Sequence, residues 1–194
     1  FLDKLSPEAD QTQSVNTIIL TDDTLVGHQT DIPGFTKAIK DLNFNIEGKK
    51  IFILGAGGVV PSIIFALNKM KASEIIISNR TRQKADDLKS QFKIINVIDW
   101  GNIPKFDMII NATSLGLKEN DTFGIDFSVT ENNRLFFDVI YNPFNTDFSE
   151  AGNKPGNKIE NGLNMFLFQA QKAFSIWHNI EPEINQEVTK LLES

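Results

Sequence analysis

Two rhythms of apolar positions alternate along the chain. Unbroken apolar runs recur at Ile51 to Leu54, Ile75 to Ile77, Met108 to Ile110 and Leu135 to Phe137. A continuous run of this length suits a strand buried on both faces of a parallel sheet, whereas apolar residues three and four apart suit a helix with one buried stripe. The pattern predicts strands at 50–54, 74–78, 94–98, 107–111 and 134–140, with helices at about 58–70 and 81–91 between the first three. That alternation predicts a doubly wound α/β domain.

On either side the rhythm changes. Ser14 to Leu20 and Leu25 to His28 read as two short strands joined by a turn at Thr21-Asp22-Asp23, a hairpin too small to stand alone. It is expected to add to a sheet whose remainder lies upstream of Phe1. Phe35, Ala38, Ile39 and Leu42 keep helical spacing across Asp31 to Leu42. Two further helices are predicted at Leu163 to Trp177 and, after Pro182, at Glu183 to Leu192. Phe1 to Leu5 reads as helix, and a chain opening there without Met reads as a fragment or a processed product.

The strand ending at Leu54 runs into Gly55-Ala56-Gly57-Gly58-Val59. Gly55 permits a tight turn and Gly57 lets the backbone approach a pyrophosphate, while the following helix offers its N-terminal N–H groups and positive dipole end. A third glycine would fall at Val60, so the fingerprint is incomplete. The next strand ends in Ser78-Asn79-Arg80-Thr81-Arg82, with Lys84 close behind, where an NAD site would carry Asp or Glu. Arginine's planar fork suits a phosphate monoester. The cluster therefore reads as a clamp for a ribose 2′-phosphate and selects NADP over NAD. The competing reading is a solvated basic first turn, which the helix dipole disfavours unless an anion is present.

Ligands of open α/β sheets bind beyond the carboxyl ends of the strands, and three more segments lie at such places. Asn111-Ala112-Thr113-Ser114-Leu115-Gly116 could line a nicotinamide ribose or form a ligand-free Asx turn. In Asp138-Val139-Ile140-Tyr141-Asn142-Pro143 the tyrosine could enter the cleft or cover the core. Gln169 interrupts the apolar face of the helix that Asn161-Gly162-Leu163 opens, and there it meets either ligand or solvent. Asp31 could act as general acid/base at the entry to the glycine domain, or simply cap its helix, as Thr30 could.

Composition narrows the field little. The chain of 194 residues lacks Cys, which excludes disulfides and thiolate sites and fits a reducing, cytoplasmic setting. A formal net charge of −6 argues against nucleic acid as partner, and no run is long enough for a membrane span. The two histidines, His28 and His178, lack metal-ligand spacing, so no metal is expected.

Read in order, these segments resemble the shikimate dehydrogenase family over nearly the whole chain. Ser14-Val15-Asn16-Thr17 resembles its A-V-N-T strand and Gln29-Thr30-Asp31 its N-T-D segment. Gly55-Ala56-Gly57-Gly58 with Asn79-Arg80-Thr81 is similar to its G-A-G-G and N-R-T motifs, and Asn111 to Gly116 matches N-A-T-S-x-G. The resemblance implies a Rossmann cofactor domain at 31–160, a remnant of a second α/β substrate domain at 1–30 and closing helices at 161–194 that pack back toward the latter.

It also implies NADPH-dependent reversible reduction of 3-dehydroshikimate. Asp31 would be half of a catalytic Lys–Asp pair, Asn16, Tyr141 and Gln169 would join it in binding substrate, and Val59, Val139 and Gly162 would join the cofactor contacts. The family's Lys, and the hydroxyls that grip the substrate carboxylate, lie upstream of the position matching Phe1, so impaired turnover is expected. Gln29 stands where the family usually has Asn, and Pro61 replaces an Arg often found after G-A-G-G. A homodimer is compatible with this reading. The alternatives are a quinate/shikimate dehydrogenase using NAD and a noncatalytic NADP-binding module.

Overall fold

The computed structural model describes residues 1–118 and 121–193 and divides into two compact units. The first comprises Phe1–Asn45, Pro61–Ala66 and Leu163–Ser194, and the second Ile46–Val60 and Leu67–Gly162.

The first unit opens with β1 (Lys4–Leu5) and α1 (Pro7–Thr12), followed by β2 (Thr17–Thr21) and β3 (Thr24–His28). The predicted hairpin is present, with Thr17 opposite His28 and Thr21 opposite Thr24. Its third strand lies within the chain: β1 pairs parallel to β3, giving the order β1-β3-β2. The helix expected at Phe1 to Leu5 is therefore a correction. Ser6 accepts a hydrogen bond from the Ala9 N–H and Pro7 occupies the first helical turn, so the helix starts only at Pro7. Helix α2 (Asp31–Asp41) follows. Although the sequence grouped it with the nucleotide domain, it falls in the first unit because it packs on a late helix of that unit, described below.

The second unit is the predicted doubly wound domain. Its strands are β4 (Lys50–Leu54), β5 (Glu74–Ser78), β6 (Ile95–Ile98), β7 (Met108–Asn111), β8 (Leu135–Asp138) and β9 (Lys158–Glu160), with α4 (Arg82–Gln91) and α5 (Asp147–Ala151) between them; α3 (Val60–Lys69) follows β4, and its Pro61–Ala66 segment groups with the first unit. The sheet is parallel throughout, in the order β6-β5-β4-β7-β8-β9. The apolar runs alone do not disclose α5 or β9. Strand β9 is three residues of Lys-Ile-Glu at the sheet edge, with no continuous apolar signature.

One side of this sheet packs on an aromatic cluster. Phe106, Phe136, Phe148, Phe123 and Phe127 are all buried, and Phe136 and Phe148 have ring centroids 5.4 Å apart. Each such ring removed from water contributes on the order of 1.5–3 kcal/mol. The rigid sheet holds its carboxyl edge, where β4, β5, β6 and β7 all end, in a fixed arrangement. The closing elements are α6 (Leu163–His178) and α7 (Gln186–Glu193) in the first unit. No described helix is long and apolar enough to cross a membrane.

Candidate functional site

The glycine turn is pinned from both sides. Gly55 N–H donates to the Ser78 carbonyl at 2.8 Å, and Ala112 N–H donates to the Leu54 carbonyl at 2.8 Å. Gly55 has φ +114, and a Cβ there would lie 2.5 Å from the Ala112 carbonyl oxygen, so only glycine fits. The next glycines differ. A Cβ on Gly57 would meet nothing closer than 3.9 Å, and one on Gly58 nothing within 4 Å. The protein's own packing does not demand glycine at 57 or 58, which leaves open backbone in front of α3, as a pyrophosphate requires. Val60, at the third-glycine position, is fully buried.

At the end of β5 the Asn79 amide donates to the Thr81 carbonyl at 2.8 Å and sets the turn into α4. Thr81 is the N-cap of that helix, but its hydroxyl makes no capping bond. Arg80 and Lys84 are exposed, and among the described residues their side chains have neither ion-pair nor hydrogen-bond partners. Arg82 behaves differently: its guanidinium pairs with Asp86 at 3.4 Å and with Asp99. Of the basic cluster at Arg80, Arg82 and Lys84, Arg82 is thus committed to carboxylates and ties α4 to the end of β6.

These groups share one cavity of about 320 Å³, lined by Gly55, Ala56, Gly57, Asn79, Arg80, Thr81, Lys84, Thr113 and Ser114. Ala112 and Leu115 of the Asn111–Gly116 segment also line it, as does Trp100, which was not expected. Trp100 leaves the carboxyl end of β6, so the strand-end rule that located the other loops would have found it. Gly58, Val59, Asn111, Val139 and Gly162 lie outside this lining.

Asn111 is a buried scaffold residue. Its Nδ2 donates to Asp138 Oδ1 at 2.9 Å and to the Leu115 carbonyl at 3.1 Å, and its Oδ1 accepts from Thr113 Oγ1 at 2.7 Å and Thr113 N–H at 3.1 Å. Every amide valence is satisfied inside the protein. Asn111 therefore shapes the Thr113–Leu115 wall through its own side-chain amide. Asp138 anchors the same network and accepts from Thr146 Oγ1 at 2.6 Å. Burial raises its carboxyl above the usual range, against the hydrogen bonds from Thr146, Ile140 and Asn111. Gly162 is required by close packing, since a Cβ there would collide with the Val139 carbonyl. Tyr141 is half-buried just beyond β8.

The first unit holds a second constellation. Asn16 Nδ2 donates to Asp31 Oδ1 at 3.0 Å, and Asn16 Oδ1 accepts from Thr30 N–H at 2.9 Å. The fully buried Thr30 hydroxyl lies 3.1 Å from Asn16 Oδ1 and 3.2 Å from Gln169 Oε1. With a single proton it serves these two acceptors one at a time. Gln169 reaches this place because α2 and α6 pack closely at Gly34, where a Cβ would lie 2.8 Å from the Met165 carbonyl oxygen and 2.9 Å from Gln169 Cβ. Thr30, absent from the expected site residues, is the link between Asn16 and Gln169.

Asp31 is not the helix cap. Thr30 occupies that position, and Gln29 Oε1 accepts the Asp31 N–H at 2.6 Å while Gln29 Nε2 donates to Ser14 Oγ at 3.1 Å. The Gln in place of Asn thus has a local task. Burial raises the Asp31 carboxyl above its ordinary value, with hydrogen bonds from Gln29 and Asn16 opposing. Among the described residues it has no ion-pair partner.

Comparisons with known proteins identify the family. The family model described as Shikimate / quinate 5-dehydrogenase matches residues 36–147. A shikimate dehydrogenase (NADP(+)) of Pelagibacter ubique is 50% identical over 193 residues, covering 100% of this chain and 73% of that protein. The Carboxydothermus hydrogenoformans counterpart is 36% identical over 95% of this chain and 69% of its own. Among solved structures, shikimate 5-dehydrogenase of Thermus thermophilus in complex with NADP(H) and shikimate superposes with a TM-score of 0.86 at 29% identity, covering 99% of this chain and 70% of that one.

Proposed function

Because the chain belongs to the shikimate dehydrogenase family, we propose that its glycine turn and its Asp31 cluster divide the NADP-linked interconversion of 3-dehydroshikimate and shikimate between them. The unit carrying Gly55 serves the cofactor, and the unit carrying Asn16, Asp31 and Gln169 serves the substrate. The observation that carries the cofactor assignment is the pair of cations, Arg80 and Lys84, which have no partner among the described residues and line the same cavity as the glycine turn.

Gly57 and Gly58 leave the backbone in front of α3 open to the pyrophosphate. Arg80, Lys84 and the Thr81 hydroxyl, which makes no capping bond, take the 2′-phosphate at the N-terminus of α4, where helix dipole and side-chain charge act together. Thr113 and Ser114 form the wall held by Asn111. When bound, NADPH supplies the hydride that reduces the substrate ketone. In the other cluster, Asn16 and Gln169 read ring hydroxyls, and an analogue lacking those hydroxyls would leave polar groups unpaired. Asp31 accepts from a substrate hydroxyl and orients the proton donor, a task favoured by a carboxyl whose pKa burial has raised. Tyr141 joins the substrate contacts. The ligands are small molecules: a formal net charge of −6 offers no broad basic face for nucleic acid.

Equilibrium binding of NADP and NAD to the wild-type chain and to Arg80→Ala tests the assignment. A charge-assisted contact to phosphate is worth roughly 1.5–3 kcal/mol, about 10- to 100-fold in affinity. The variant should lose that much for NADP and nothing for NAD, and equal NADP affinity in the two proteins would remove Arg80 from the site. For the substrate side, Asp31→Asn should weaken shikimate binding and leave NADP binding unchanged.

A further inference from the structure

Trp100 has no place in the function described so far, yet it lines the cofactor cavity and is the aromatic side chain among its described lining residues. Its position in the sheet is informative. In the order β6-β5-β4-β7, the strand it follows lies on the far side of β5 from β4. The glycine turn ends β4 and the Arg80 loop ends β5, so Trp100 stands next in line beyond the cations.

The ring is also held firmly. Its Nε1 donates to the Phe123 carbonyl at 3.2 Å, and the side chain rests on the aromatic cluster that includes Phe106 and Phe123. The preceding residue, Asp99, is fixed by Arg82 from the first turn of α4. With the indole N–H already satisfied, the side chain offers the cavity an apolar, polarisable π surface and no donor. A rigid π surface of that kind suits a flat heterocycle, whose stacking depends little on hydrogen bonding.

We propose that Trp100 is the adenine-stacking residue of the cofactor site. The 2′-phosphate that Arg80 and Lys84 hold is carried by the same ribose as the adenine, so a base extending past these cations along the sheet edge meets the indole. Arg82 thereby acquires a role as well, as a positioning residue that holds the Asp99–Trp100 turn. The inference rests on the reading that this cavity takes NADP.

The chain contains two tryptophans, so Trp177→Phe leaves Trp100 as the sole indole reporter. In that variant, titration with adenosine 2′,5′-bisphosphate should change Trp100 emission saturably, whereas nicotinamide mononucleotide should not. By calorimetry, Trp100→Leu should weaken adenosine 2′,5′-bisphosphate roughly tenfold, the loss of one base–aromatic stack, and Trp100→Phe should stay within about threefold of wild type. Saturable binding with unchanged Trp100 emission overturns the proposal while leaving the NADP reading intact, as does Trp100→Leu binding as tightly as wild type. Failure of the wild-type chain to bind the bisphosphate overturns both. Should Trp100→Leu fail to fold, the emission titration in Trp177→Phe decides alone.

Discussion

Beside the glycine turn Arg80 and Lys84 have no partner among the described residues, whereas around Asp31 almost every polar group is bonded to a neighbour. Arg80, Lys84 and the Thr81 hydroxyl stand beside open backbone at Gly57 and Gly58. Asn16, Gln29, Thr30, Asp31 and Gln169 instead form a continuous chain of hydrogen bonds. On the proposed assignment, the difference matches what each region would recognise. A phosphate brings full charge, so exposed cations and N–H groups can wait in water and still discriminate strongly. A ring hydroxyl brings no charge, and reading it demands acceptors and donors whose orientation is fixed beforehand. Substitutions in the first region should therefore act mainly on affinity, and those in the second on stability as well.

The largest departure from that rule is expected at Gly55, where the turn is part of the fold. Gly55→Ala forces a Cβ to 2.5 Å from the Ala112 carbonyl at φ +114. Strain and clash together should cost about 3 kcal/mol or more of unfolding free energy, measured by denaturant titration. Gly57→Ala, two residues on, meets no protein atom closer than 3.9 Å. It should leave stability within about 0.5 kcal/mol of wild type while sharply weakening NADP. A comparable stability loss in both variants would show that the two glycines share one structural role and would break the distinction drawn here.

A smaller effect is expected at Thr30. Thr30→Val keeps the shape of a fully buried side chain and deletes the hydroxyl between Asn16 and Gln169. Asn16 Oδ1 retains the Thr30 N–H and the Thr17 hydroxyl as donors. The expected cost is therefore about 1–2 kcal/mol, with shikimate binding weakened and NADP binding untouched. No change in stability would mean that the cluster is not braced by its own hydrogen bonds.

The same contrast explains what the sequence discloses. The glycine turn and Arg80 are readable because their chemistry is local: residue type and distance from a strand end suffice. Asn111 carried the same local signal, yet its amide turns inward to Asp138, and a polar residue at a strand end reads alike in either direction. Arg82 resembled Arg80 until its carboxylate partners were located, and Asp99 lies 17 residues away. Thr30 and Gln169 are 139 residues apart, and only the contact of α2 with α6 at Gly34 brings them together. The strand at Lys4–Leu5 is two residues long, and pairing with β3 rather than any periodicity defines it. Family resemblance supplied Gln169, for which the local pattern favoured solvent over ligand.

The subtlest test concerns the charge of Asp31. Burial lifts its carboxyl above the ordinary 3.8, and the hydrogen bonds from Gln29 and Asn16 oppose that rise without cancelling it. In the unfolded chain the group titrates near its ordinary value. Between the two values the folded protein keeps a proton that the unfolded chain has released, so the unfolded state binds fewer protons and stability falls as pH rises. The contribution is fully present below the unfolded pKa, is lost as pH climbs through the folded one, and changes no further above it. Asp138, raised in the same direction by burial, adds a slope of the same sign. Asp31→Asn should remove the part that belongs to Asp31, so denaturant unfolding free energies of wild type and variant diverge from about pH 4 upward. Arg80→Ala removes no carboxyl and should keep the wild-type slope. If the Asp31→Asn and wild-type curves run parallel, the carboxyl is not held in the half-buried network, and the contrast between an open cation site and a braced acid cluster loses its second half.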